Sequence, residues 1–226
     1  SQDFSVSWIN CKLGSKFKGV MQLGSYYKSE ETIRFKKTLN LPLPKIKLIN
    51  AQSKIVFNNL YSFYNRRLKN KVIIENHQNF MHPLDRVKNW NRLYGKSGFF
   101  QFQCHLPPET FIEAMKSILK QINTSNLIPF LPVIKSFGVV KSIGLLSFPK
   151  PGITFSVDFE NNGHESIKLI QELSDICVNA GGRIYLAKDC LMSEGNFRNS
   201  YPNFYKFKNY RDLKISSSMS RRLMGF

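Results

Sequence analysis

The stretch Gly181-Gly182-Arg183-Ile184-Tyr185-Leu186-Ala187-Lys188-Asp189 decides how the chain is read. Its glycines follow an apolar helical pattern over Glu165 to Ala180 that turns Ile170, Leu173 and Cys177 inward. Glycine is the residue that most easily takes the left-handed conformation ending a helix. Ile184 and Leu186 then alternate with Arg183 and Tyr185, the period of a strand. A strand over Arg183 to Ala187 delivers Lys188 at its end.

Upstream, the same grammar repeats. Phe99 to His105 reads as a strand. Pro108 to Asn123 reads as an amphipathic helix burying Phe111, Met115, Ile118, Leu119 and Ile122. Phe130 to Gly138 reads as a strand, Val139 to Pro151 as a connection, and Ile153 to Glu160 as a strand of strict alternation. Strand-helix-strand twice over is the order of a ferredoxin-like split βαβ fold, an α+β class with helices on one face of a four-stranded antiparallel sheet.

The N-terminal part is less regular. Residues 4 to 9, FSVSWI, and Lys18 to Gly24 read as strands, and residues 28 to 50 as a polar, proline-broken connection. Ala51 to Asn70 follows a helical pattern. His82-Pro83-Leu84-Asp85 reads as a turn into a short helix, with Asp85 as N-cap, carrying Val87, Trp90 and Leu93 inward and stopping at Gly95. These patterns divide the chain into 1–97, an N-terminal segment; 98–188, the ferredoxin-like domain; and 189–226, a tail of irregular segments and short helices.

Composition narrows the function classes. The chain has 226 residues, 42% of them hydrophobic, with a net charge of +18. No stretch of about 18 apolar residues is present to span a membrane. The charge is spread out, with small clusters at Arg66–Lys71 and Lys206–Lys214, and no zinc-finger spacing, RNP motif or basic heptad helix accompanies it. A nucleic-acid role thus has charge without a reading motif, whereas a diffuse positive field suits an anionic small substrate or membrane surface. The 4 cysteines and 4 histidines show no metal-ligand spacing, so no metal is expected and the cysteines suit a reducing, cytoplasmic setting. No GxSxG, GxGxxG or paired-carboxylate pattern occurs.

Alternation assigns faces. Phe100, Phe102 and Cys104 point one way, with Ile153, Phe155, Val157 and Phe159 as the matching apolar set. Gln101, Gln103, Lys135, Phe137, Thr154, Ser156 and Asp158 fall on the other. A polar outer face is ordinary for a half-exposed sheet. Two glutamines in one strand, and a lysine between apolar neighbours, are not ordinary strand choices and point to a hydrogen-bonding task.

Several stretches resemble, in order, the decaprenylphosphoryl-ribose 2-oxidase family of FAD enzymes of the vanillyl-alcohol-oxidase type. They are Phe4–Asn10, His82-Pro83-Leu84-Asp85, Trp90–Gly95, Gly98–Gln103, Lys135–Gly138, Leu146–Gly152, Val157-Asp158-Phe159, Gly181–Asp189 and Ser220-Arg221-Arg222-Leu223. Two positions depart from the family pattern. Thr154-Phe155-Ser156 stands where the family has Asn-Ile-Cys, and Met81 replaces an aromatic residue.

The resemblance covers the substrate-binding, C-terminal part of such enzymes and implies a missing FAD domain, upstream or in trans. Without it this chain is expected to be inactive. The resemblance implies Lys188 as the catalytic cation beside FAD, with Tyr185 also near the cofactor. Gln101, Gln103, Lys135, Phe137, Thr154, Ser156, Arg92 and Tyr185 would line the substrate site, Lys135 facing a phosphate. The implied substrate is a polyprenyl-phosphate-linked pentose oxidised at C2 to the 2-keto sugar, as in synthesis of cell-wall arabinan-type precursors. A reductase partner would complete the epimerisation, at the inner face of the membrane. A related sugar-1,4-lactone oxidase shares the architecture. A basic ferredoxin-like nucleic-acid module would instead need stacking aromatics on the open face, where Phe99 is the candidate.

Overall fold

A computed structural model describes residues 2–11, 19–28, 47–50, 71–212 and 214–225, together with positions 52, 53, 55, 56, 59, 63, 66 and 69. The expected connection over 28–50 and the expected helix over 51–70 lie largely outside the described residues. Where that helical stretch is described, 52, 53, 55, 56, 59, 63 and 66 are helical. The chain forms two compact units, Phe4–Leu23 with Phe100–Phe226, and Ser1–Asp3 with Gly24–Phe99.

The larger unit is built on a sheet of β1 (Phe4–Ile9), β2 (Gly19–Gly24), β3 (Phe99–Leu106), β4 (Phe130–Phe137), β5 (Gly152–Glu160) and β6 (Arg183–Ile184), in the order β2-β1-β4-β5-β3-β6. The run β4-β5-β3-β6 is the ferredoxin-like sheet that the strand order implied, and β1 extends it beyond four strands by pairing antiparallel with β4, Val6 opposite Lys135 and Trp8 opposite Val133.

Short helix α1 (His77–Met81) belongs to the other unit; α2 (Phe111–Thr124) and α3 (His164–Asn179) cover one face of the sheet. The face of α2 that carries Met115, Ile118, Leu119 and Ile122, and that of α3 with Leu169, Leu173 and Cys177, join Phe102, Cys104, Phe155, Val157 and Phe159 in one core. Each large apolar side chain so buried stabilises the fold by about 2 kcal/mol. The two helices are tied to each other by the Gln121 amide, which donates to Glu172 at 2.6 Å, and by Thr110, whose hydroxyl donates to the Ala180 carbonyl at 2.7 Å.

The end of α3 follows from its glycines. Gly181 has φ +77°, its N–H bonds Val178 O at 2.9 Å, and the Gly182 N–H bonds Cys177 O at 2.9 Å. This is the Schellman pairing, which satisfies the last carbonyls of the helix. The strand that follows is shorter than expected. β6 ends at Ile184, and Leu186–Lys188 is a 3₁₀ turn rather than more strand. The last ladder bond is Tyr185 N–H to Gln103 O at 2.9 Å.

Beyond it, α4 (Glu194–Ser200), α5 (Phe204–Phe207) and α6 (Ser218–Met224) fold back on the same core through Phe197, Tyr201, Phe204 and Leu223. The Tyr201 hydroxyl donates to the Ile184 carbonyl at 2.6 Å.

In the smaller unit, the segment after α1 differs from the expected single helix. It forms two 3₁₀ turns, Pro83–Arg86 and Trp90–Leu93. Pro83 sets the start one turn early, so His82 rather than Asp85 holds the cap position, and Asn89 at φ 61° breaks the run. Trp90, Tyr94 and Phe99 pack as an aromatic cluster, Tyr94 stacking on Phe99 at 4.2 Å between centroids.

Candidate functional site

The open face of the sheet is set by register. Lys135 stands opposite Thr154, and Val133 opposite Ser156, so the three polar residues share one side. Their neighbours along β5, Phe155, Val157 and Phe159, are fully buried on the other.

Proton bookkeeping fixes how the glutamines present themselves. The Thr154 hydroxyl donates to the Cys104 carbonyl at 2.9 Å. Its single proton is thereby committed, so its oxygen accepts, and the Gln103 amide nitrogen donates to it at 3.1 Å. Further along the same two strands, the buried Asp158 accepts from the Gln101 amide nitrogen at 2.8 Å. A carboxylate can only accept, so Gln101 is pinned the same way round. Both glutamines keep their side-chain carbonyl oxygens available as acceptors. Thr154 itself is buried, its hydroxyl engaged by Cys104 and Gln103, while Ser156 is half-buried.

Lys188 reaches this region from the 3₁₀ turn. Burial pulls its pKa below the ordinary lysine value; the Asp158 charge raises it, and the Lys135 charge lowers it further. Burial likewise lowers the pKa of Lys135. Lys135 as a whole residue is exposed. Two cations and one buried carboxyl therefore share the face. The next residue, Asp189, anchors the turn. Its carboxyl accepts from Leu191 N at 3.0 Å and Met192 N at 2.8 Å, and pairs with Arg222 at 2.9 Å.

One end of the face is walled by rings. Phe137 stacks parallel to His105 at 6.4 Å, and Phe148 stands edge-on to both. The Tyr185 ring lies 4.6 Å from that of Phe148. Phe137, Tyr185, Gln101, Gln103, Lys135, Thr154, Ser156 and Lys188 all belong to the larger unit. Arg92 is exposed in the 3₁₀ turn Trp90–Leu93 of the other unit. A cleft of about 430 Å³ in the larger unit lies against residues 139–151, and no residue of the polar face lines it.

Alternation also puts Asp158 and, at the end of β3, His105 on this face, but gives neither a role in a site. Alternation gives the side of a residue, but not that Asp158 holds Gln101 or that His105 is buried, with the Phe137 and Phe148 rings beside it. No group of three His, Cys, Asp or Glu able to hold a metal occurs among the described residues. Among them, too, no helix is long and apolar enough to cross a membrane.

The chain is 34% identical, over 204 residues, to the decaprenylphosphoryl-beta-D-ribose oxidase of Mycolicibacterium smegmatis, a match that covers 86% of this chain and 43% of that protein. The chain thus spans less than half the length of the relative it matches. No family model matches it.

Proposed function

Since the chain is a relative of decaprenylphosphoryl-beta-D-ribose oxidase, we propose that it forms the C-terminal, substrate-binding part of an FAD-dependent sugar oxidase. The observation that carries this reading is the orientation of Gln101 and Gln103, each pinned through its nitrogen, on a face that also gathers Lys135 and Lys188. Amide carbonyl oxygens accept hydrogen bonds from sugar hydroxyls. A lysine offers an ammonium to a phosphate. The substrate we propose is a pentose linked to a polyprenyl phosphate, with Gln101 and Gln103 on the sugar and Lys135 on the phosphate.

The donor set is compatible with a flavin beside it. Lys188 has a lowered pKa and no carboxylate bonded to its ammonium among the described residues. FAD held by another part of the protein would supply the acceptor for the sugar C2 hydride, and Lys188 would set a cation against the negative charge of the reduced ring. Lys188 and Tyr185 are the residues of this chain that would meet it. Thr154 and Asp158 act as positioning residues, holding the two glutamines in one rotamer and one amide orientation. Phe137 and Phe148 exclude water from the same end of the face. The product is a 2-keto sugar, and a separate reductase would convert it to the C2 epimer. Handling a lipid-linked substrate also implies contact with a membrane surface.

The test is Lys188→Ala in the full-length protein. Flavin reduction by substrate, followed by stopped-flow absorbance, is expected to slow by about 100-fold or more, the scale for losing one preorganised electrostatic contact, with FAD content unchanged. Reduction at the normal rate removes Lys188 from this role.

A further inference from the structure

Buried guanidinium groups are ordinarily paired with a carboxylate. Arg183 is 7% exposed, and no carboxylate pairs with it among the described residues. Its Nη1 donates to the Ser147 carbonyl at 2.7 Å, and its guanidinium lies 4.9 Å from the centre of the Tyr201 ring. A guanidinium has five N–H donors, so one carbonyl leaves most of them unused. Arg183 lines the cleft of about 430 Å³ together with Lys141, Lys150 and Asn203, and Val139 and Val140 form part of its wall. Burial first, and then the Arg183 charge, hold the Lys150 pKa below its usual value, which puts the two cations within electrostatic reach. No acidic residue lines the cleft.

We propose that this cleft binds a phosphate group, carried by a small phosphorylated molecule or by a lipid headgroup, with Arg183 as a forked anchor and Lys150 and Lys141 as flanking charges. Arginine suits the anchor because its planar fork matches two phosphate oxygens, and its partial burial strengthens each charge-assisted bond. The apolar wall at Val139 and Val140, each 86% exposed, is available to whatever the phosphate is attached to. The site shares no residue with the polar face, so it stands whether or not the oxidase reading does.

A purely structural Arg183 would clamp residues 139–151 through Ser147 and bind nothing, and Lys150 separates the two cases because it clamps nothing. The experiment titrates the full-length protein with inorganic pyrophosphate by calorimetry at constant ionic strength. A second arm sediments it with phosphatidylcholine vesicles, with and without phosphatidic acid. Saturable binding is expected in at least one arm. Lys150→Gln and Arg183→Lys should each weaken it about 10-fold, the scale of one hydrogen bond to a charged group, and the binding that they weaken should survive Lys135→Gln, which removes only a charge of the polar face. Binding to pyrophosphate assigns a soluble phosphate. Binding only to vesicles that contain phosphatidic acid assigns a lipid headgroup. No saturable binding in either arm overturns the proposal, as does binding that Lys150→Gln and Arg183→Lys leave unchanged or that Lys135→Gln abolishes.

Discussion

Arg222, in the last helix, pairs with Asp189, the residue that follows Lys188, at 2.9 Å. The Asp189 side chain is 3% exposed and that of Arg222 31%. Arg222 also donates to the Met192 carbonyl. Two stretches that lie far apart in the sequence, the lysine turn and the C-terminal Ser-Arg-Arg-Leu, are thus one piece of structure. Removing one partner of a buried pair costs several kcal/mol, but Arg222 is partly in water and Asp189 keeps two backbone donors. We expect Arg222→Ala to cost about 1–2 kcal/mol locally. Hydrogen exchange in the full-length protein should show the Leu191 and Met192 amides losing about 10-fold protection, while amides of α2 do not change. Equal protection in the variant would show that the tail does not hold the turn.

The charges around Lys188 make opposite predictions. Burial lowers its pKa most; Asp158 opposes that and Lys135 adds to it. Asp158→Asn removes the supporting charge and should move the basic limb of the pH–rate profile for flavin reduction to lower pH. Lys135→Gln removes a repelling charge and should move it to higher pH. Saturating substrate keeps binding effects of Lys135 out of the comparison. Limbs that shift in the same direction in both variants contradict the electrostatic account.

Local periodicity carried much of this face. The inward set Phe102, Cys104, Phe155, Val157 and Phe159 and the outward set Gln101, Gln103, Thr154 and Ser156 follow from period-two alternation, which needs no knowledge of partners. What depended on partners was hidden. Nothing local says that Phe4–Ile9 joins the sheet beside β4, or that pairing stops at Ile184 so that a 3₁₀ turn carries Lys188. Arg183 alternates as an outward residue, yet residues 139–151 and Tyr201 bury it. The roles of Thr154 and Asp158 depend on which atoms meet across strands, information that residue type alone does not contain.

The two glycines after α3 should differ in cost. A Cβ on Gly181 would meet only Pro107 Cγ at 3.7 Å, so Gly181→Ala suffers from its left-handed φ, about 1–2 kcal/mol. A Cβ on Gly182 would fall 2.3 Å from the His105 carbonyl oxygen and 2.6 Å from Cys177 Sγ. Backbone cannot yield cheaply there, so Gly182→Ala must push α3 away from β3, at about 3 kcal/mol or more. Urea midpoints should fall further for Gly182→Ala than for Gly181→Ala. The reverse order would mean that the helix end shifts freely.

His105 couples the fold to acid. It is 2% exposed, its Nε2 lies 3.2 Å from the Pro151 carbonyl, and its Nδ1 is buried without a hydrogen-bond partner. A carbonyl can only accept, so Nε2 carries the proton and Nδ1 is the site that would titrate. Burial lowers the pKa from its usual 6.5, the Pro151 bond opposes that, and the Arg183 and Lys150 charges lower it again. With the folded pKa below the unfolded one, the unfolded state binds more protons in the window between them. Stability therefore rises with pH through that window and is lost as pH falls from about 6.5 towards the folded value. His105→Gln keeps a donor for Pro151 but cannot titrate. Between pH 7.5 and 5.5, above the carboxylate range of about 4, the wild-type urea midpoint should fall more than that of His105→Gln. Matching acid slopes in the two proteins would place the acid sensitivity elsewhere than at this ring.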